Sequence, residues 1–200
     1  MIFALLPVKA PHLAKQRLSA VLMPAAREAL ARAMYEEIIA KLRAARGIDC
    51  IVVATSDEAT AAHARRSGAL VFEEREQHSH SRSADAAVRW AMDLGATTVV
   101  LLPIDVPLAT PAEIESLAAA ARPGVLIVPS ADGSGTNALV LTPPDAIATH
   151  FGPGSFRRHF EEAQARGLTV QVLRPPGLVF DVDTPEDLAE LRRAQCPSGY

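Results

Sequence analysis

The sequence predicts one α/β domain over residues 1–200, with a mainly parallel sheet and helices on both faces. Short apolar runs alternate with longer segments whose apolar residues recur at helical spacing, the pattern of a parallel sheet crossed by helices. Several helical segments stop at a glycine (Gly47, Gly68, Gly95), the residue that best ends a helix in a left-handed conformation. With 200 residues and 49% hydrophobic content, the chain is long enough to enclose a proper core.

The elements follow in order. Ile2 to Leu6 is apolar, lacks a basic flank and stops at Pro7, so it reads as a buried first strand rather than a targeting segment. Pro24 to Arg46 repeats Leu30, Met34, Ile38 and Leu42 on one helical face. Ile51 to Ala54 is the second strand, Asp57 to Ser67 the second helix, and Ala69 to Phe72 a short third strand. A polar stretch from Glu73 to Ser83, containing His78 and His80, reads as a loop. A helix is expected from Asp85 to Leu94. Thr97 to Leu102 is β-branched and continuous, as a strand covered on both faces should be. Thr110 caps a helix from Pro111 to Ala121, with proline in its first turn. Val125 to Val128 and Ala138 to Leu141 are strands joined by the turn-rich "PSADGSGTN". Ser155 to Arg166 is a helix, Thr169 to Leu173 a strand, and Thr184 to Arg193 the last helix. Between these last two, Leu178-Val179-Phe180 reads as a short strand that ends on two acids.

Composition excludes several partners. A formal charge of −3 opposes a nucleic-acid or anionic-membrane surface, which would need a basic excess. No apolar run reaches membrane-spanning length. Two cysteines, Cys50 and Cys196, fit a reduced, cytoplasmic chain. His78 and His80 have no cysteine or further histidine beside them at ligand spacing, so a polar loop is the expected reading.

In sheets of this kind ligands sit beyond the carboxyl ends of the strands, so residues after each strand are the ones to inspect. After the first strand, "PVKAPHLAKQRLS" (7–19) holds Lys9, Lys15 and Arg17 without an acid. Fixed positive charge there suits a polyphosphate; a solvated basic loop is the alternative. Neither a Walker A loop nor GxGxxG occurs. After "TTVVLLP" comes Asp105 among apolar residues, either a hydrogen-bond acceptor in a turn or a hard oxygen ligand for Mg²⁺. Asp181 and Asp183, two apart on extended chain, would face the same way, and their repulsion calls for a cation. Asp187 has a local explanation, since Thr184, Pro185 and Asp187 form a capping-box-like helix start. The stretches "DGSGTNAL" (132–139) and "FGPGSFRRHF" (151–160) offer glycines and a helix start where backbone amides can meet an anion. A turn and an ordinary serine cap are the alternative there.

Five stretches in one order carry a resemblance: "PVKAPHLAKQRL" (7–18), "LPIDVPLATPAEI" (102–114), "GSGTNAL" (133–139), "FGPGSFRRH" (151–159) and "DVDTPEDL" (181–188). Over almost its whole length the chain resembles the 2-phospho-L-lactate guanylyltransferase family (CofC type). That family lies among nucleotidyltransferases with a Rossmann-like, GT-A or MobA-like fold. The resemblance implies transfer of GMP from GTP to phosphoenolpyruvate, 2-phospho-L-lactate or 3-phospho-D-glycerate, with loss of pyrophosphate, in deazaflavin coenzyme biosynthesis. It implies Mg²⁺ held by Asp105, Asp181 and Asp183, and a phospho-acid held at Thr136, Gly152 and Ser155. Nucleotide contacts would come from Pro7, Val8, Lys9, Lys15 and Arg17, with Lys15 and the acids as the catalytic set. One stretch, 78–91, departs from the family pattern; either Ser83 or Arg82 takes over contacts to ribose or base there, or the nucleotide preference has changed. The expected partners are GTP and the acid, with a homodimer allowed and with no nucleic acid or membrane. The rival readings are a molybdopterin guanylyltransferase or sugar-phosphate cytidylyltransferase of the same fold, and a non-catalytic GTP-binding module.

Overall fold

A computed structural model describes residues 1–74 and 79–195; His78 and Cys196 lie outside these. The strands are β1 (Ile2–Pro7), β2 (Cys50–Thr55), β3 (Leu70–Glu73), β4 (Thr98–Leu101), β5 (Gly124–Pro129), β6 (Thr136–Thr142) and β7 (Val170–Val172). They form one sheet in the order β3-β2-β1-β4-β6-β5-β7. Pairing is parallel except at β6, which runs antiparallel to both β4 and β5. The expected α/β class, mainly parallel, is what the chain adopts.

Seven helices accompany the described strands: α1 (Pro24–Ala44), α2 (Glu58–Arg66), α3 (His80–Asp93), α4 (Pro111–Ala120), α5 (Ser155–Ala165), α6 (Pro176–Val179) and α7 (Pro185–Gln195). Strand residues alternate between two cores, as a pleated sheet requires. Ala4, Leu6, Val53 and Val100 pack against Ile38, Ile39 and Leu42 of α1 and Ile114 and Leu117 of α4. Phe3, Leu5, Val52 and Leu101 pack on the other face against Ala87, Val88 and Ala91 of α3 and Ala163 of α5. A third cluster joins Leu18, Met34, Val182, Leu188 and Leu191, and so ties α7 to the loop after β1.

Two expectations are corrected. α3 starts at His80 rather than Asp85, because the Ser79 hydroxyl accepts the Arg82 amide and caps the helix there. Polar residues at 80–83 are compatible with a first helical turn, where a cap outweighs propensity. Residues 176–179 form a one-turn helix rather than a strand ending at Asp181. Pro175 and Pro176 start that turn.

Candidate active site

Five loops and the start of β6 converge on a cleft of 510 Å³ at the carboxyl edge of the sheet. β6 reaches this edge at its beginning because it runs against its neighbours, which is how Thr136 and Asn137 come to line the cleft. The loop after β4 brings Asp105, the segment between α6 and α7 brings Asp181 and Asp183, and the start of α5 brings Gly152 and Ser155.

The loop after β1 turns through two short 3-10 segments, Pro11–Leu13 and Gln16–Ala20, and Leu18 anchors it in the third cluster. Between them Lys15 adopts φ 54°, the left-handed region that side chains other than glycine rarely occupy. Its buried ammonium donates to the Val182 carbonyl at 2.7 Å, lies 2.5 Å from Asp105 Oδ1 and 3.7 Å from Asp183 Oδ1. Arg17, on the surface, reaches Asp183 Oδ2 at 3.4 Å. The Val182 amide donates to the Asp105 carbonyl at 3.0 Å, binding the two acid-bearing segments together. Val182 is buried, and the acids on either side of it both line the cleft, so they share a face as expected.

Asp181 is held by Asn137, whose Nδ2 donates to Asp181 Oδ1 and to the Val179 carbonyl, both at 3.0 Å. Burial raises the Asp181 carboxyl above its ordinary pKa. The Asn137 bond opposes this, and the carboxylates of Asp183, Asp105 and Asp187 add to it. The capping arrangement expected at α7 is present: Asp187 Oδ2 accepts the amides of Thr184 (2.7 Å) and Asp183 (3.0 Å), and Thr184 Oγ1 accepts the Asp187 amide.

Among the described residues no three His, Cys, Asp or Glu groups stand close enough to cage a metal by themselves. The cation between Asp105 and Asp183 is the Lys15 ammonium. Even so, three carboxylates on one open cleft suit Mg²⁺, which takes one or two carboxylates and completes its shell with water and substrate phosphates. The donor set therefore fits the ion as a shared site.

At the other end of the cleft, Gly152 and Gly154 have φ of 112° and 72°, a conformation that glycine alone adopts without strain. They turn the chain so that Gly154 caps α5 and Ser155 begins it. Ser155 is not an ordinary cap: its hydroxyl is buried and donates to Thr136 Oγ1 at 3.1 Å. Pro7, Val8, Lys9, Lys15 and Ser83 are not part of this lining. Pro7 and Val8 are buried at the end of β1, Lys9 is exposed beyond them, and Ser83 is buried on α3, which packs on β1 and β2. Asn137 and His159 went unnoticed in the sequence, although both lie inside quoted stretches, at i+1 from Thr136 and i+4 from Ser155.

A cleft at the strand ends, with a lysine cation paired to its carboxylates, suits the phosphate chemistry of the nucleotidyltransferase class of α/β protein. A nucleotidyl transferase from Methanothermobacter thermautotrophicus shares the fold, with a TM-score of 0.67 at 16% identity over 100% of this chain and 99% of that one. The profile of the family described as "Guanylyl transferase CofC like" matches residues 2–193, and the chain belongs to that family. It is 40% identical to the phosphoenolpyruvate guanylyltransferase of Rubrobacter xylanophilus, over 95% of this chain and 93% of the relative. It is 36% identical to the 2-phospho-L-lactate guanylyltransferase of Methanothermobacter thermautotrophicus, over 94% and 82% respectively.

Proposed function

We propose that the chain transfers GMP from GTP to a small phosphorylated three-carbon acid, with release of pyrophosphate, as a step of deazaflavin coenzyme biosynthesis. The acid is phosphoenolpyruvate, 2-phospho-L-lactate or 3-phospho-D-glycerate. The observation that carries this reading is the cleft itself. It gathers the three acids, with Lys15 paired to Asp105, together with Thr136 and Ser155 at the start of α5. Family membership supports the same reaction.

In this reading an oxygen of the acid's phosphate bonds in line to the α-phosphorus of GTP. The bond from that phosphorus to the β-bridging oxygen breaks, and pyrophosphate leaves with the electron pair. The nucleophile is already an anion, so no proton has to be removed, and rate comes from positioning and charge neutralisation. Asp105, Asp181 and Asp183 would hold Mg²⁺ together with substrate oxygens; when bound, the ion offsets the repulsion between two phosphates that must meet. Lys15 and Arg17 stabilise the charge that develops on the departing pyrophosphate. Pro7, Val8, Lys9 and Ser83 accommodate the nucleoside beside β2, and Thr136, Gly152 and Ser155 grip the acid. Among the described residues no helix is long and apolar enough to cross a membrane, and Cys50 is a free thiol. A cytoplasmic site of action belongs to the same proposal.

The test is a pyrophosphate-release screen that crosses the four common nucleoside triphosphates with the three acids. Turnover with GTP and at least one acid is expected. Turnover with none would end the proposal, and a preference for CTP would move the chain to a cytidylyltransferase role.

A further inference from the structure

The buried imidazole of His159 stands behind the two hydroxyls assigned to the acid and does not reach the cleft. It is 0% exposed, on α5 one turn beyond Ser155. Its Nε2 lies 2.8 Å from the backbone nitrogen of His150, and its Nδ1 lies 3.1 Å from Thr136 Oγ1. Ser155 Oγ completes the chain by donating to Thr136 Oγ1 at 3.1 Å.

These contacts decide the tautomer. A backbone amide can only donate, so Nε2 must accept. A neutral imidazole carries one N–H, and here it has to be on Nδ1. That N–H donates to Thr136 Oγ1. Protonation at Nε2 would set two hydrogens against each other. Burial accordingly pushes His159 down to about 4, with the charges of His150 and Arg158 adding and Glu162 opposing. The strands beneath α5 bring no charged group to the ring: β5 reads GVLIVP and β6 reads TNALVLT.

The hydrogen count has a consequence for the cleft. The Nδ1–H, the Thr136 hydroxyl and the Ser155 hydroxyl supply three hydrogens, and the two contacts within the chain consume two. One O–H remains, and Thr136 and Ser155, which share it, are both lining residues of the cleft. Were the ring to accept at Nδ1, Thr136 would spend its own proton on it, and the pair would lose the donor it can offer a ligand.

We infer that His159 is a positioning residue: its fixed Nδ1–H orients Thr136 and Ser155 so that the pair presents a hydroxyl donor to an anionic group of the acid substrate. This rests on the reading of the cleft as a phospho-acid site. The donor is neutral, so it selects a carboxylate or phosphate by hydrogen bonding, and the ring's own charge does not change over the ordinary working range.

Two variants separate this role from simple packing. In His159→Asn the amide nitrogen can replace Nδ1–H towards Thr136, whereas the His150 amide loses its acceptor. In His159→Gln the amide oxygen can replace Nε2 towards His150, whereas Thr136 loses its donor. His159→Gln is expected to raise KM for the acid by about tenfold or more while leaving KM for GTP within about twofold. His159→Asn should stay close to the parent protein in both. In the free protein, long-range ¹H–¹⁵N correlation spectra should show the Nδ1–H tautomer and no titration of this ring between pH 5.5 and 8. An Nε2–H tautomer, a ring that titrates in that range, or equal KM effects on acid and GTP would overturn the role of His159. A parent protein inactive with every acid but carrying the Nδ1–H ring would instead overturn the functional reading on which the role depends.

Discussion

The Lys15 ammonium lies 2.5 Å from Asp105 Oδ1, and both residues are tied to Val182, Lys15 through its carbonyl and Asp105 through its amide. Loops that begin after β1 and β4 are thereby locked to the segment before α7. The lock needs Lys15 at φ 54°, a strained conformation for a residue with a side chain. Charge and backbone can be separated by substitution. Lys15→Met should lower kcat/KM by about a hundredfold or more, since a preorganised cation at a developing negative charge is lost. Lys15→Gly should be equally inactive, yet at least as stable as the methionine variant, because glycine takes a left-handed conformation without strain. Thermal melts beside pyrophosphate release check this; an active Lys15→Met removes the lysine from the reaction.

Asp183 pairs with Lys15 at 3.7 Å and with Arg17 at 3.4 Å, and its side chain is 41% exposed. Pairs exposed to this degree contribute about 1 kcal/mol or less. Asp183→Asn should therefore leave the melting temperature nearly unchanged while abolishing turnover. A chelator should likewise abolish turnover of the parent protein, and added Mg²⁺ should restore it. Near-normal activity of the variant with Mg²⁺ would rule out Asp183 as a ligand.

Asn137 holds Asp181 and the Val179 carbonyl with one amide group. Asn137→Ala leaves both acceptors without that donor, and the stability loss should be about 1–3 kcal/mol. Turnover should fall further than stability suggests, because Asp181 loses its fixed direction. Asn137→Asp should be worse, since it adds a carboxylate to a site already crowded with them. Kinetics at a temperature well below the melts of both variants would separate the two effects; unchanged kcat in Asn137→Ala would deny Asn137 any role in placing Asp181.

Stability should also depend on pH through His159. Its pKa is lowered on folding to about 4, against 6.5 for the free side chain. The unfolded chain then binds the proton first as pH falls, so stability from this group is full above 6.5 and declines down to about 4. The span corresponds to about 3 kcal/mol. Denaturant titrations of the parent protein and His159→Asn, compared between pH 7.5 and 4.5, should show a shallower decline in the variant. Parallel curves would mean that His159 is not held neutral.

What the sequence made legible was local. The capping box at Thr184–Asp187 and the Thr110 cap before Pro111 are written in consecutive residues, and both form. The acids were legible because a lone carboxylate among apolar residues demands an explanation. Lys15 among those acids was not, because its partners lie far along the chain and only the fold brings them together. Asn137 was hidden differently. Inspecting the residues that follow each strand assumes a parallel strand, and β6 is reversed, so its first residues occupy the edge where other strands end. The one-turn helix at 176–179 was obscured by apolar residues that serve a strand or a buried turn equally well.

Gly177 shows how closely that turn is fitted to the loop bearing Asp105. A Cβ at this position would overlap the Leu108 carbonyl oxygen, lie 2.7 Å from its carbon and 2.5 Å from Glu113 Oε2. The Gly177 amide donates to Glu113 Oε1 at 2.7 Å, while Glu113 Oε2 accepts from the Thr110 amide at 2.8 Å. One carboxylate thus completes the cap of α4 and docks α6 on it. In Gly177→Ala the obstacle is backbone, which cannot swing aside as a flexible side chain would, so α6 must lift. The cost should be about 1–3 kcal/mol. Because α6 leads directly into Asp181, turnover should fall as well. Gly167→Ala is the control: its φ of 67° makes alanine unfavourable, but nothing lies within 4 Å of the added methyl. Gly167→Ala should lose about 1 kcal/mol and keep its turnover. If Gly177→Ala also keeps full turnover, the fit of α6 against Leu108 serves stability alone and does not place Asp181.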